Sequence, residues 1–187
     1  MSLLELLNIS QTTCLNESFE HGIKSILSSK KINTTGEFLL SDADEQLLLN
    51  ISFIQTVRVR SIIINSRNAS QAPKELKILV NRIDVGFEDV QDAKEPEVAQ
   101  ALILTEEQVT EGKQIPLRFV RFQTVNSMQV RGPSRSLPQA CATLRLRQIF
   151  VASNQGGEDE TRIDGIDILG VPVETTKDLS GLKKQEE

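Results

Sequence analysis

The feature that most constrains this chain is a succession of short segments whose apolar residues recur at every second position. In EQLLLNISF, Glu45 to Phe53, one side carries Leu47, Leu49, Ile51 and Phe53 and the other Leu48, Asn50 and Ser52. In TVRVRSIIIN, Thr56 to Asn65, Val57 and Val59 alternate with Arg58 and Arg60, so one side of that segment is wet. A period of two is the pleat of a β-strand, whereas an amphipathic helix needs apolar residues three and four apart. Only a few residues separate the two segments, which predicts a short hairpin around Ile54 and Gln55. KELKILVN places Leu76, Ile78 and Val80 inward, and VAQALIL follows. IPLRFVRFQ alternates Leu117, Phe119 and Phe122 imperfectly with Arg118 and Arg121, and TRIDGIDILG offers Ile163, Ile166 and Ile168. Residues 1–37 are weakly patterned, apart from a helical turn or two around Ile23, Ile26 and Leu27. Short strands joined by Gly, Pro, Asn, Ser and acidic loops predict an all-β antiparallel sandwich. The predicted core is Leu49, Ile51, Phe53, Val57, Ile78, Val80, Phe119, Ile166 and Ile168.

Composition narrows the partners. At 187 residues one domain is expected, large enough to bury roughly 70% of its unfolded surface. The chain has seven Phe and no Trp or Tyr, so its core rests on branched aliphatics, which favour strands. A net charge of −5 argues against nucleic acid and anionic membranes as partners, since both reward a positive face. No apolar run approaches membrane-spanning length. The start MSLLELLNI is interrupted by Glu5 and lacks a basic lead, so it reads as a poor signal peptide.

The catalytic inventory is thin. His21 is the single histidine, and no nucleophile elbow, phosphate loop, dinucleotide fingerprint or metalloprotease motif occurs. Cys14 and Cys141 belong to no C-x-x-C pair, which removes a dithiol from this chain. Cys14 and His21 are too few for a structural zinc site. Two acidic clusters, Asp42, Asp44 and Glu45 and then Glu158, Asp159 and Glu160, lack the spacing of a calcium loop and read as strand-end turns. The expectation is no enzyme and no cofactor. Asn8, Asn16, Asn33, Asn50 and Asn68 each open an N-x-S/T triplet, and these read as polar loop sequence, with Asn50 inside a strand.

Several blocks then carry a resemblance. CLNES (Cys14–Ser18), SDADEQLLLNISF (Ser41–Phe53), PKELKILVN (Pro73–Asn81), PLRFVRFQTVNS (Pro116–Ser127) and IFVASNQGGEDETRI (Ile149–Ile163) fall in the order found in the PITH domain, the proteasome-interacting module of thioredoxin-like proteins. The resemblance runs from about Cys14 to Thr175. FED, EPEVAQALILTEE and GVPVETT resemble the thioredoxin-fused branch of that family. The resemblance implies a jelly-roll β-sandwich of the galactose-binding-like kind and a non-catalytic adaptor, monomeric, docking to subunits of the proteasome regulatory particle in cytosol and nucleus. Residues 1–175 would form the domain and 176–187 a charged tail. The first places to look for contacts are the loop Ser153–Glu160, with Asn154, Glu158 and Asp159, and the tail, with Leu179, Lys183 and Lys184. A carbohydrate or small-ligand module is the alternative a sandwich suggests, but fold alone confers no site, and without Trp or Tyr any sugar stacking falls to a few Phe.

The chain departs from the family pattern in two ways. It holds no thioredoxin module. And Val130–Gln148, VRGPSRSLPQACATLRLRQ, carries four arginines and no acid where the family has no counterpart. Its two prolines and lack of periodicity suit an extruded loop. A retained intron, a genuine surface loop and a functional basic contact all stay open as readings. Under either of the first two, 125–129 and 149–152 join as one strand or adjacent strands.

Overall fold

A computed structural model of the chain describes residues 1–80, 86–91, 93–94, 98–118 and 146–173. The strands are β1 (Thr13–Leu15), β2 (Leu39–Leu40), β3 (Leu47–Ser52), β4 (Val57–Asn65), β5 (Pro73–Val80), β6 (Gln100–Ile103), β7 (Ile115–Pro116), β8 (Leu146–Asn154), β9 (Arg162–Ile163) and β10 (Gly165–Pro172). Among the described residues the α-helices are single turns: α1 (Ile23–Leu27), α2 (Phe87–Gln91) and α3 (Glu106–Thr110). Among the described residues, one sheet has the order β1-β3-β8-β5-β6, a second β10-β4-β7, and β2 pairs with β9. Every described strand pair is antiparallel.

The two larger sheets face one another across the core. Leu47, Leu49 and Ile51 of β3, Leu76 and Ile78 of β5, and Ile149 and Val151 of β8 pack against Val57, Val59, Ile62 and Ile64 of β4 and Ile166 and Ile168 of β10. Period two thus does what the sequence predicts: each strand turns one aliphatic row inward. The side chain of Val80 and all of Phe119, also expected in the core, lie outside the described residues.

The hairpin expected around Ile54 and Gln55 does not form. β3 belongs to the five-stranded sheet and β4 to the three-stranded one, so the chain crosses the sandwich edge instead of turning back on itself. Both strands carry inward rows, and facing them across the core buries both at once. The N-terminal residues close the same edge. Leu3 donates to Ile168 O, Gly170 to Met1 O, and Asn8 to Ser52 O. Leu3, Leu4 and Leu7 are buried, so the weakly patterned start of the chain straps β10 to β3. Gly170 has to be glycine: a Cβ there would meet Arg58 O at 2.0 Å, where β10 shifts register against β4.

A second apolar layer lies outside the five-stranded sheet. Leu48, Leu79 and Phe150 face away from the main core and are covered by Val90 and Phe87 of α2. The Phe87 and Phe150 rings meet edge-on, with centroids 6.1 Å apart. The boundary expected for the arginine-rich segment is corrected at its end. β8 starts at Leu146, and Leu146, Arg147 and Gln148 pair with Ser52, Ile51 and Asn50. The extruded loop therefore cannot extend to Gln148; residues 125–145 lie outside the described residues.

Candidate functional site

At the end of the sandwich where β8 runs out, three segments lie side by side: 16–21, 39–45 and 154–163. Extended hydrogen bonds hold them together. Glu17 bridges Ser41, Asp42 donates to Asn16 O, and Ser41 donates to Thr161 O. Thr161 returns a backbone N–H to Ser41 Oγ and its hydroxyl to Glu45 O. Leu39 and Leu40 pair with Ile163 and Arg162.

The loop leaving β8 is built around Asn154. Its Nδ2 donates to Glu158 O at 2.7 Å and Glu160 O at 3.0 Å, while its Oδ1 accepts from Glu158 N at 2.9 Å. Gly157 sits at φ +70, a left-handed conformation that glycine adopts without strain. Gln155 Nε2 donates to Pro73 O and Leu104 O, tying the loop root to the neighbouring strands. One buried amide thus folds the chain back on itself and leaves Glu158 and Asp159 exposed. Asn154, expected at the contact surface, is 3% exposed. Its amide is spent inside the loop, where it shapes the surface that Glu158 and Asp159 present. Leu179, Lys183 and Lys184 lie outside the described residues.

Beside this loop is an open groove of about 310 Å³, lined by Asp42, Ala43, Gln71, Glu158, Asp159 and Glu160. It brings both acidic clusters of the sequence onto one face. Among the described residues no group of three or more His, Cys, Asp and Glu could hold a metal ion. The face is an acidic surface and carries no described coordination site.

Behind the groove stands a network the sequence reading did not single out. Asp164, nearly buried, accepts from Arg162 Nε at 3.0 Å, Arg162 Nη2 at 2.7 Å and the Arg67 backbone N–H at 2.8 Å. Burial works to raise the Asp164 pKa, but the Arg162 guanidinium and the Arg67 N–H outweigh it and hold the carboxyl below its ordinary value. The signal was available in TRID: residues two apart on an extended chain share a side. Arg162 also lies 3.8 Å over the Phe38 ring, and His21 stacks on Phe38 at 3.9 Å. His21 is half-buried.

The other singled-out residues have structural duties. Cys14 is buried, and that burial, followed by the charge of Glu17, pushes its thiol pKa well up; such a thiol is a poor nucleophile. Cys141 lies outside the described residues. Asn16 Nδ2 donates to Asp44 Oδ1 and Gln46 O. Asn33 Nδ2 donates to Glu37 O and Asp164 O. Asn50 accepts from Gln148. These three N-x-S/T asparagines use their amides to join loops and strands.

A family model described as the PITH domain matches residues 1–135. This chain belongs to the PITH domain family. Thioredoxin-like protein 1 of Schizosaccharomyces pombe is 34% identical over 166 residues, covering 87% of this chain and 49% of that protein. PITH domain-containing protein 1 of Danio rerio is 31% identical over 129 residues, covering 68% of this chain and 59% of that protein. The chain thus spans about half the length of the first of these relatives and under two thirds of the second. Among solved structures, CBM32-3 from a family 31 glycoside hydrolase of Clostridium perfringens aligns over 89% of this chain and 96% of its own, with a TM-score of 0.50 and 11% identity. That likeness concerns the fold. This PITH domain is a β-sandwich of the galactose-binding-like, jelly-roll kind.

Proposed function

We propose that this PITH domain is a non-catalytic adaptor that docks onto the regulatory particle of the proteasome, in cytosol and nucleus. The observation that carries the reading is membership of the PITH family, joined to a rigid, acidic loop face. Loop rigidity matters because a surface held in one conformation loses less entropy when a partner covers it. Glu158 and Asp159 would make the polar contacts, with Asn154 holding them in place, and the tail residues Leu179, Lys183 and Lys184 would add a second point of contact. A buried Cys14 and a single histidine stacked on Phe38 support a binding role over a catalytic one. The described groove has only polar, acidic and alanine lining, which fits a charged protein surface better than the stacking face of a sugar.

Affinity purification with the tagged full chain tests the reading. Subunits of the regulatory particle should be recovered, and Glu158→Lys with Asp159→Lys should reduce their recovery. Recovery of no regulatory-particle subunit by the unaltered chain would sink it.

A further inference from the structure

On the outer face of the three-stranded sheet, this acidic chain sets two arginines side by side. Val57 and Val59 belong to the core, so the pleat turns Arg58 outward between them, and Arg58 and Arg60 are both exposed. Arg60 owes its place to a bulge. Ser61 faces Leu169 and Val59 faces Gly170 across the β10 pairing, which leaves Arg60 as an extra residue with no counterpart there. A bulge of this kind re-aims a side chain. The two arginines start roughly 7 Å apart, the rise of two strand residues.

Nothing described on this face neutralises them. Register sets Val171 opposite Arg58, Leu169 opposite Ser61 on β10, and Pro116 opposite Ser61 on β7. Asp167 of β10, opposite Ile63, is 5% exposed and accepts the Ser2 hydroxyl at 2.6 Å and the Ile168 N–H. α3 is anchored at the far end of β4, where Asn65 donates to Val109 O and Thr110 O, and Lys113 pairs with both Glu107 and Glu111. Along β4, Asn65 stands roughly 17 Å from Arg60, well beyond the screening length of about 8 Å at physiological salt. The acidic loop lies past that end too, since Asp164 donates to Asn65 O. Among the described residues Arg58 and Arg60 make no ion pair, whereas Arg67 and Arg162 share Asp164. Leu117 donates to Arg60 O, which brings the exposed Arg118 to the same end of the sheet.

We propose that this face binds an extended acidic segment of a partner protein, with Arg58 and Arg60 as its anchors. Carboxylates two residues apart on an extended chain repeat at the arginine spacing, and each guanidinium can grip one through paired hydrogen bonds. Nucleic acid and anionic lipid present charge over a broad front, which a chain of net charge −5 repels outside this one stripe. The chain's own tail is a poorer occupant. Val173 donates to Thr56 O, close to Arg58, but residues 174–187 hold four acids against three lysines. This surface is separate from the acidic loop of the adaptor reading and stands without it.

The test is fluorescence anisotropy of a labelled peptide of alternating Glu and Ser, titrated with the full chain. The unaltered chain should bind it. Arg58→Gln with Arg60→Gln should weaken binding at least about tenfold and leave the thermal melt unchanged. Arg58→Lys with Arg60→Lys, which keeps the charge and loses the paired geometry, should fall between. Lys24→Gln with Lys31→Gln removes the same charge from exposed positions at α1 and after it, and should change binding less than about twofold. In nuclear magnetic resonance spectra of the unaltered chain, the peptide should shift amides of β4 and β10. Glu174→Gln with Asp178→Asn should leave binding within about twofold; tightening of about tenfold or more would give the arginines to the tail and overturn the proposal. So would absence of peptide binding, binding of the Gln pair within about twofold of the unaltered chain, shifts confined to other strands, or binding to phosphatidylserine vesicles or single-stranded RNA in place of the peptide.

Discussion

The central strand β8 has two unlike faces. Inward, Ile149 and Val151 belong to a predominantly aliphatic core drawn from both sheets. Outward, Gln148 and Phe150 lie side by side under a thinner cover. Phe150 packs on Leu48, Leu79 and α2, while Gln148, 2% exposed, donates to Asn50 at 2.8 Å and its own buried Oε1 has no partner among the described residues. The inner face is a dry, two-sheet core that any strand-forming aliphatic sequence could help fill. The outer face depends on particular partners. A buried amide there is tolerated only because Asn50 stands at the facing register position.

The largest effect expected on this comparison is truncation. Phe150→Ala should cost about 3–5 kcal/mol and Ile149→Ala about 2–5 kcal/mol, read from urea unfolding. Equal or smaller loss at Phe150 would show that α2 is a weak lid and that the outer layer adds little. Asn154→Ala comes next, at about 1–3 kcal/mol, since it strips three backbone groups of the loop of their partner. Hydrogen exchange at Glu158 should quicken while β8 stays protected. Protection unchanged at Glu158 would mean that Asn154 does not hold the loop.

Asp164 predicts a pH dependence. Its folded pKa lies below the unfolded one, so the stability it contributes is complete above about pH 4 and is lost as pH falls through the lower, folded value. Asp164→Asn should therefore be less stable than the unaltered chain at pH 7, with the gap closing as pH falls through the lowered folded pKa. A gap that persisted in acid would place the effect in packing and not in charge.

The smallest effect is expected from deletion within the arginine-rich segment. Removing Val130–Gln148 leaves Ser127, Met128 and Gln129 directly before Ile149, in the sequence positions that Leu146, Arg147 and Gln148 hold in β8. Gln129 then stands where Gln148 meets Asn50, and the melt should move by only a few degrees, about what 1 kcal/mol produces. The same deletion made with Gln129→Val should be worse, because it orphans Asn50. A 130–148 deletion that does not fold would show that Leu146 and Arg147 are irreplaceable in the strand.

Much of this was legible residue by residue. Leu47, Leu49, Ile51, Ile78, Ile166 and Ile168 announce their inward faces through a period of two, and α1 through Ile23, Ile26 and Leu27. α3 also carried its signature: in Thr105-Glu106-Glu107-Gln108 the threonine side chain and the glutamine side chain each accept the other's backbone N–H. The two acidic clusters were visible as separate turns. Their meeting at one groove was not, because nothing in either stretch encodes the pairing of β2 with β9. Asn154 looked like a surface loop residue because polarity was all the sequence offered; its burial depends on the course of the six residues after it.

The amino-acid sequence by itself determined the strand class, the aliphatic core rows, the acidic character and the family. The first three are properties of local periodicity and composition, which each segment carries alone; the family rests on several blocks that match in order. Tertiary structure decided the rest: that β3 and β4 part into opposite sheets, that residues 1–8 strap the sandwich shut, and that Phe19 is left uncovered while Phe150 is not. Each of these turns on which segment, distant in the chain, comes to lie alongside. The choice is made by burying all the apolar rows together and satisfying the backbone hydrogen bonds at once, a condition on the whole chain that no window of it contains.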